Sequence, residues 1–277
     1  MPELPEVETI RRDLAAEVIG RKIEAVFLYD PQILKEPDPE AFLVLLRGRT
    51  IERIDRQAKY LLIHLSGGLV WMVHLMLEGQ FLYQHAAETA KPDTRLAVHL
   101  DNDHQLRLRD VTGYAKTMLV PEAGHQDTLK LKLLGPEPIA PGFTFERFKS
   151  RLTARKGMIK PLLLKQQVIA GVGNIYADEA LHRARLHPRR KVAEMSDQEL
   201  QRLHRALVDV LNEGIAHRGT SAQGGLYRDI WGRKGKHQEH LEVFRRAGQP
   251  CPACGGEVEK TQVSGRSTFL CPTCQRL

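Results

Sequence analysis

The chain of 277 residues has four cysteines, and none before position 251. A disulfide framework for its body is thereby excluded. No apolar run approaches the roughly 20 residues that a membrane helix needs. The opening Met1-Pro2-Glu3-Leu4-Pro5 is acidic and lacks the basic segment and apolar stretch of a secretory signal, so the expected location is the cytoplasm. Internal repeats and low-complexity tracts are missing too, which argues against a solenoid or a disordered chain. What remains, 42% hydrophobic and 27% charged residues, is the composition of a globular protein long enough for two domains.

Charge is unevenly spread. Residues 1–143 carry 17 Lys+Arg against 21 Asp+Glu, a net of −4, and residues 144–277 carry 24 against 13, a net of +11. A basic second half suits a polyanionic partner, nucleic acid first, although a solvated basic surface explains the charge as well.

The hydrophobic pattern changes along the chain. Val7, Ile10, Leu14 and Val18 recur at helical spacing before Gly20, which predicts an opening helix. Short segments with strand character follow at 22–29, 50–55, 60–65, 69–75, 80–83, 96–100, 105–109 and 116–120, with a helix at 39–46. Gly67-Gly68 and Asn102-Asp103 supply turns between them. Many short strands at this spacing predict a β-sandwich or barrel with flanking helices over 1–134. The Pro- and Gly-rich stretch 135–143 reads as a linker. A helical domain is expected over 144–240. Its clearest helix spans 196–217, opened by a Ser196/Glu199 capping box and striped by Leu200, Leu203, Leu207, Leu211 and Ile215. Residues 219–240, rich in Gly and charge, read as a loop, and 241–277 as a small β-hairpin module.

That module holds the strongest local signal. Cys251-x-x-Cys254 and Cys271-x-x-Cys274 are separated by 16 residues. This is the spacing of a four-cysteine zinc site, against which stand free thiols or two disulfides. Four protein ligands would close the coordination shell, so the expected cofactor is one structural Zn²⁺ holding a hairpin too small to fold on its own core. Arg266, beside Gly265, would sit near the hairpin tip, placed to hold a phosphate or simply solvated.

The N-terminus offers a different chemistry. Met1 before a small Pro2 is expected to be removed, exposing a secondary amine. An α-amino group titrates near pH ~8, against ~10.4 for lysine, so it is the better nucleophile at neutral pH. It could form a Schiff base, with Glu3 as general acid–base. The same residues also make an ordinary proline-containing helix entry.

Met1-Pro2-Glu3-Leu4-Pro5-Glu6-Val7-Glu8-Thr9 resembles the opening of the formamidopyrimidine-DNA glycosylases. Ala58-Lys59-Tyr60-Leu61-Leu62, Gly171-Val172-Gly173-Asn174-Ile175-Tyr176-Ala177 and the cysteine tail with Arg266 and Phe269 continue the resemblance across nearly the whole chain. The resemblance implies an N-terminal β-sandwich with flanking helices, then a helix–two-turn–helix domain and a zinc hairpin, with DNA in the cleft between them. It implies a bifunctional enzyme of the bacterial cytoplasm or nucleoid, monomeric, acting on duplex DNA with a damaged base or an abasic site. Pro2 would displace an oxidised purine (8-oxoguanine or formamidopyrimidine) and β,δ-elimination would follow. Glu3 would be the acid–base and Lys59 a catalytic-site cation. Lys59, His74, Asn174 and Arg266 would grip phosphates, and Glu6 would lie near the flipped base. Taken alone, Lys59 reads as a surface lysine, His74 as a core histidine and Asn174 as a helix cap.

Two loops depart from the family. Where it has His-Leu-Gly-Met-x-Gly, this chain has His74-Leu75-Met76-Leu77-Glu78-Gly79, putting Leu77 at the position that fills the gap left by a flipped base. Where it has Asp-x-Arg-x-Phe-Gly, this chain has Asp110-Val111-Thr112-Gly113-Tyr114-Ala115. Tyr114 can still stack, but Thr112 cannot make the bidentate base contact of an arginine. A relaxed preference for the opposite base is therefore expected. Residues 219–240 match a segment that closes over the flipped base. The competing readings are the same chemistry on oxidised pyrimidines, and a non-catalytic lesion- or DNA-binding protein of the same fold.

Overall fold

The computed structural model describes residues 1–221 and 227–277. They form two compact units, 1–132 with 217–238, and 133–216 with 239–277.

The first unit opens with α1 (Leu4–Val18), whose Pro5 lies in the first turn. Its face Val7, Ile10, Leu14 and Val18 is fully buried, each side chain contributing about 1.5–3 kcal/mol. All eight expected strands form: β1 (Ile23–Leu28), β2 (Ile51–Gln57), β3 (Tyr60–Leu65), β4 (Leu69–His74), β5 (Gln80–His85), β6 (Thr94–Leu100), β7 (His104–Arg109) and β8 (Lys116–Pro121). Helix α2 (Pro39–Leu46) is also where it was expected, capped by Asp38, whose carboxylate accepts from the Ala41 amide at 2.9 Å.

The strands make two four-stranded antiparallel sheets, ordered β1-β6-β7-β5 and β2-β3-β4-β8. Ile54, Leu61, Ile63, Trp71 and Val73 from one sheet share a core with Phe81, Leu96, Val98, Leu106 and Leu108 from the other and with α1. Tyr227 and Ile230 belong to this core as well. The Tyr83 amide donates to the Ile230 carbonyl at 2.7 Å, which ties the late segment to β5. Arg218 reaches back to Asp13 and Asp229.

The second unit contains α3 (Phe145–Thr153), α4 (Ile159–Leu164), α5 (Asn174–Arg183) and α6 (Asp197–Ala216). The Ser196/Glu199 capping box is formed: the Ser196 amide donates to the Glu199 carboxylate at 2.7 Å and the Glu199 amide to the Ser196 hydroxyl at 3.3 Å. Strands β9 (Glu259–Val263) and β10 (Arg266–Leu270) make the C-terminal hairpin. Its two-residue turn has Ser264 at φ +47° and Gly265 at φ +76°, the double left-handed conformation that matches strand twist.

Candidate functional site

In the first unit the expected catalytic residues gather at the start of the chain. Pro2, Glu3 and Glu6 are buried. Glu6 works in two directions: one carboxylate oxygen accepts from the Glu3 amide at 2.7 Å, the other from the Thr220 amide at 2.7 Å. Gly219, at φ +81°, packs so closely that a Cβ there would stand 2.9 Å from Glu6 Cγ. The stem of the 219–240 segment is therefore fitted to Glu6, while its residues 222–226 lie outside the described residues. Burial lowers the Met1 ammonium below its ordinary value; Glu3 and Glu6 oppose this, Lys59 adds to it, and Glu78 opposes it. These four side chains thus set the electrostatics around the chain start.

Lys59 is not a surface lysine. It is buried in the β2–β3 turn behind Ala58, which sits at φ +53°. His74 ends β4, edge-on to Tyr60 with ring centroids 4.5 Å apart. Burial, with the Lys59 charge second, pushes its pKa down to about 4. Its Nδ1 accepts from the Met76 amide at 3.0 Å, so the neutral ring carries its hydrogen on Nε2 as a donor. Glu8 is different: burial pushes its carboxyl up, but hydrogen bonds from Arg11 and Arg12, and then Arg56, outweigh this and hold it at about 2. It ties α1 to β2.

Two loops present apolar side chains to solvent. Leu77 is 50% exposed, in a turn closed by the Gly79 amide donating to the Leu75 carbonyl at 2.9 Å. Met76, where the family has glycine, is held at φ +50°, a conformation that costs a non-glycine residue about 1–2 kcal/mol. Tyr114 is 55% and Val111 62% exposed. Just before them, Asp110 is buried and organises the loop. Its carboxylate accepts from the Thr112 hydroxyl at 2.7 Å, the Thr112 amide at 2.9 Å and the Ala115 amide at 2.7 Å. Thr112 therefore directs its hydroxyl into the loop.

In the second unit the four cysteines converge, with all four sulfurs within 4.8 Å of one another. The Cys251–Cys274 and Cys254–Cys271 separations are 3.9 and 3.5 Å. Tetrahedral zinc with bonds of about 2.3 Å needs sulfurs ~3.8 Å apart, so the set fits one ion. Asn174 does not cap α5; Gly173 does. Instead Asn174 Nδ2 donates to the Ser267 carbonyl at 2.9 Å, which brings it next to Arg266, exposed at the start of β10.

The residue pair that sequence reasoning missed is Lys160–Asp178, 2.6 Å apart and fully buried. Lys160 also donates to the Ser267 carbonyl at 2.9 Å and the Thr268 hydroxyl at 2.8 Å, and Asp178 accepts from the Phe269 amide at 3.0 Å. Burial pushes the Asp178 carboxyl up to about 7 even against the Lys160 ammonium. The pair fastens β10 to α4 and α5. An Asp-Glu within an otherwise apolar helix face was the only available hint.

The first unit is thus a β-sandwich with a buried carboxylate corner, and the second a helical unit with a four-cysteine zinc hairpin, which defines the class as a two-unit zinc-finger protein. Residues 1–116 match the formamidopyrimidine-DNA glycosylase N-terminal domain, 134–224 the formamidopyrimidine-DNA glycosylase H2TH domain, and 248–277 the zinc finger found in FPG and IleRS. Formamidopyrimidine-DNA glycosylase of Desulforamulus reducens is 41% identical, covering 100% of this chain and 99% of the relative. The Lactococcus lactis enzyme bound to DNA with an abasic site superposes with a TM-score of 0.92 at 32% identity, covering 99% of this chain and 100% of that one. The same enzyme bound to DNA with an oxidised pyrimidine gives 0.91 at 32% identity, covering all of both chains. The chain belongs to the formamidopyrimidine-DNA glycosylase family, enzymes of base excision repair, and its four cysteines form the family's structural zinc site. Among the described residues no helix is long and apolar enough to cross a membrane.

Proposed function

We propose that the chain excises oxidised purines from duplex DNA through Pro2 and then cuts the strand. The observation that carries this is the convergence of buried Glu3, Glu6 and Lys59 on the chain start, where burial lowers the pKa of the terminal ammonium. With Met1 removed, the same desolvation acts on a Pro2 amine and keeps its lone pair available. The amine adds to the sugar C1′ as the bond to the base breaks, and the base leaves with the electron pair and takes up a proton. Glu3 is the acid–base that opens the sugar ring to the Schiff base. Loss of a C2′ proton then expels the 3′ phosphate, and a second elimination expels the 5′ phosphate.

Lys59, His74, Asn174 and Arg266 serve as phosphate contacts, and Glu6 as part of the lesion pocket. The neutral His74 gives a hydrogen bond rather than a charge. Leu77 and Tyr114 fill the vacated space. The inward hydroxyl of Thr112 supports a relaxed choice of opposite base. Oxidised pyrimidines are the second substrate reading, favoured by the exposed leucine at the wedge position. The working form is a monomer in the bacterial cytoplasm.

Borohydride trapping on duplex DNA with one abasic site tests the mechanism. The expected product is a covalent adduct mapped to Pro2. No adduct, with Met1 absent and DNA binding intact, would replace this reading with that of a non-catalytic lesion binder.

A further inference from the structure

His182, in the last turn of α5, is 2% exposed, and the proposed reaction makes no use of it. Its Nε2 lies 3.2 Å from Cys251 Sγ and its Nδ1 lies 2.7 Å from Glu242 Oε2. Glu242 is itself held in place. Its amide donates to Glu179 at 2.7 Å, and its second carboxylate oxygen accepts from Arg183 at 3.3 Å. Arg183 is anchored in turn by two bonds to Glu213, at 2.6 and 2.8 Å. A continuous polar chain thus runs from α6 through α5 to one zinc ligand. Around it the module is apolar, with Leu241, Val243, Phe244, Val258 and Phe269 packed against Cys251 and Cys271. Packing alone would be served by a ring without nitrogens.

A zinc-bound thiolate accepts hydrogen bonds and donates none, and the Glu242 carboxylate likewise only accepts, so His182 donates from both ring nitrogens, Nε2–H to Cys251 and Nδ1–H to Glu242. Such a bond orients the sulfur and draws electron density from it, which makes the sulfur less reactive toward electrophiles. We propose that His182, positioned by Glu242, is part of the zinc centre: its Nε2–H donates to the Cys251 thiolate, protects that sulfur and slows loss of the metal. The retention of the hairpin that carries Arg266 then depends on a side chain outside the four ligands.

The test uses the full zinc-loaded chain, a competing chelator and a colorimetric zinc indicator. His182→Phe keeps an aromatic ring in the apolar surroundings and removes the donor. Glu242→Gln leaves the ring but weakens its anchor. Zinc release is expected to be roughly tenfold faster in His182→Phe and severalfold faster in Glu242→Gln. Iodoacetamide labelling during release should reach Cys251 before the other three cysteines. Release within twofold of the parent in both variants would overturn the proposal. So would faster release with all four cysteines labelled alike, which would mean general loosening of the module. If His182→Phe does not fold, Glu242→Gln decides by the same two readouts.

Discussion

Glu3, Glu6, Lys59 and His74 stand over a core to which both sheets and α1 contribute, whereas Arg266 stands on a two-stranded hairpin over a small cluster that includes two of the cysteines. In the first unit apolar burial supplies the stability, and it also tunes the chemistry by desolvating the terminal amine and the His74 ring. In the C-terminal hairpin, directional bonds add to a small apolar cluster: zinc, the Lys160–Asp178 pair and the Asn174–Ser267 contact fix β10. The first unit should therefore lose chemistry without losing its fold, and the hairpin should lose its place when a single bond is removed.

Metal removal should separate the two most sharply. Structural zinc contributes on the order of 10–16 kcal/mol in isolated fingers. Stripping it should free backbone amides throughout 241–277 to exchange with solvent while the protection of β2–β8 is unchanged. Retained protection in the hairpin would show that it stands without the metal. Next in size is Glu3→Gln, which should lower single-turnover base excision by roughly 10²–10⁴-fold. Its melting temperature should match the parent's, since the amide keeps the buried volume. Comparable loss of both would mean that Glu3 is chiefly structural. Lys160→Met should destabilise the second unit by about 3–5 kcal/mol by leaving Asp178 buried without its cation. The double variant Lys160→Met/Asp178→Leu should recover most of this in chemical denaturation, and failure to recover would point to the bonds with Ser267 and Thr268 instead.

Much of this contrast could be read from the sequence, for identifiable reasons. The sandwich strands alternate or run apolar between clear turns, as in Gln105-Leu106-Arg107-Leu108-Arg109, so all eight were found. The cysteines announce themselves by spacing. Helices α3 to α5 are not separable in the sequence pattern, because helices of six to ten residues carry too few turns to show a period and Pro161 interrupts the shortest. Segment 219–240 reads as a loop of the helical domain, yet 217–238 belongs with the first unit, where Tyr227 and Ile230 join the core of the sandwich. Burial of Lys59, and the meeting of Lys160 with Asp178, arise from tertiary placement, which leaves no trace in local patterning.

Acid should also treat the regions differently. His74 has a folded pKa near 4, below its ordinary value of 6.5, so the unfolded chain takes up the proton first. Stability is thus lost as pH falls from 6.5 toward 4, by about 3 kcal/mol at about 1.4 kcal/mol per pH unit. His74→Gln should flatten the urea midpoint across that window. An unchanged slope would assign the acid sensitivity to other groups.

The smallest expected effect concerns the 110–115 loop. Its outward groups, Val111 and Tyr114, make contacts by area, and an aromatic face stacks on any base. The Thr112 hydroxyl is already donated to Asp110, which takes it out of play as a base-reading group. Excision opposite each of the four bases should therefore differ little in the parent. Thr112→Arg introduces a guanidinium on a side chain long enough to extend past Asp110 toward solvent. It should add discrimination of about 1–3 kcal/mol for a guanine or cytosine edge, seen as a ten- to hundredfold spread in single-turnover rates. Two outcomes divide the possibilities. If the parent already shows that spread, the opposite base is read elsewhere in the protein. If Thr112→Arg creates it, the Asp110-centred turn is what keeps this loop indifferent to sequence.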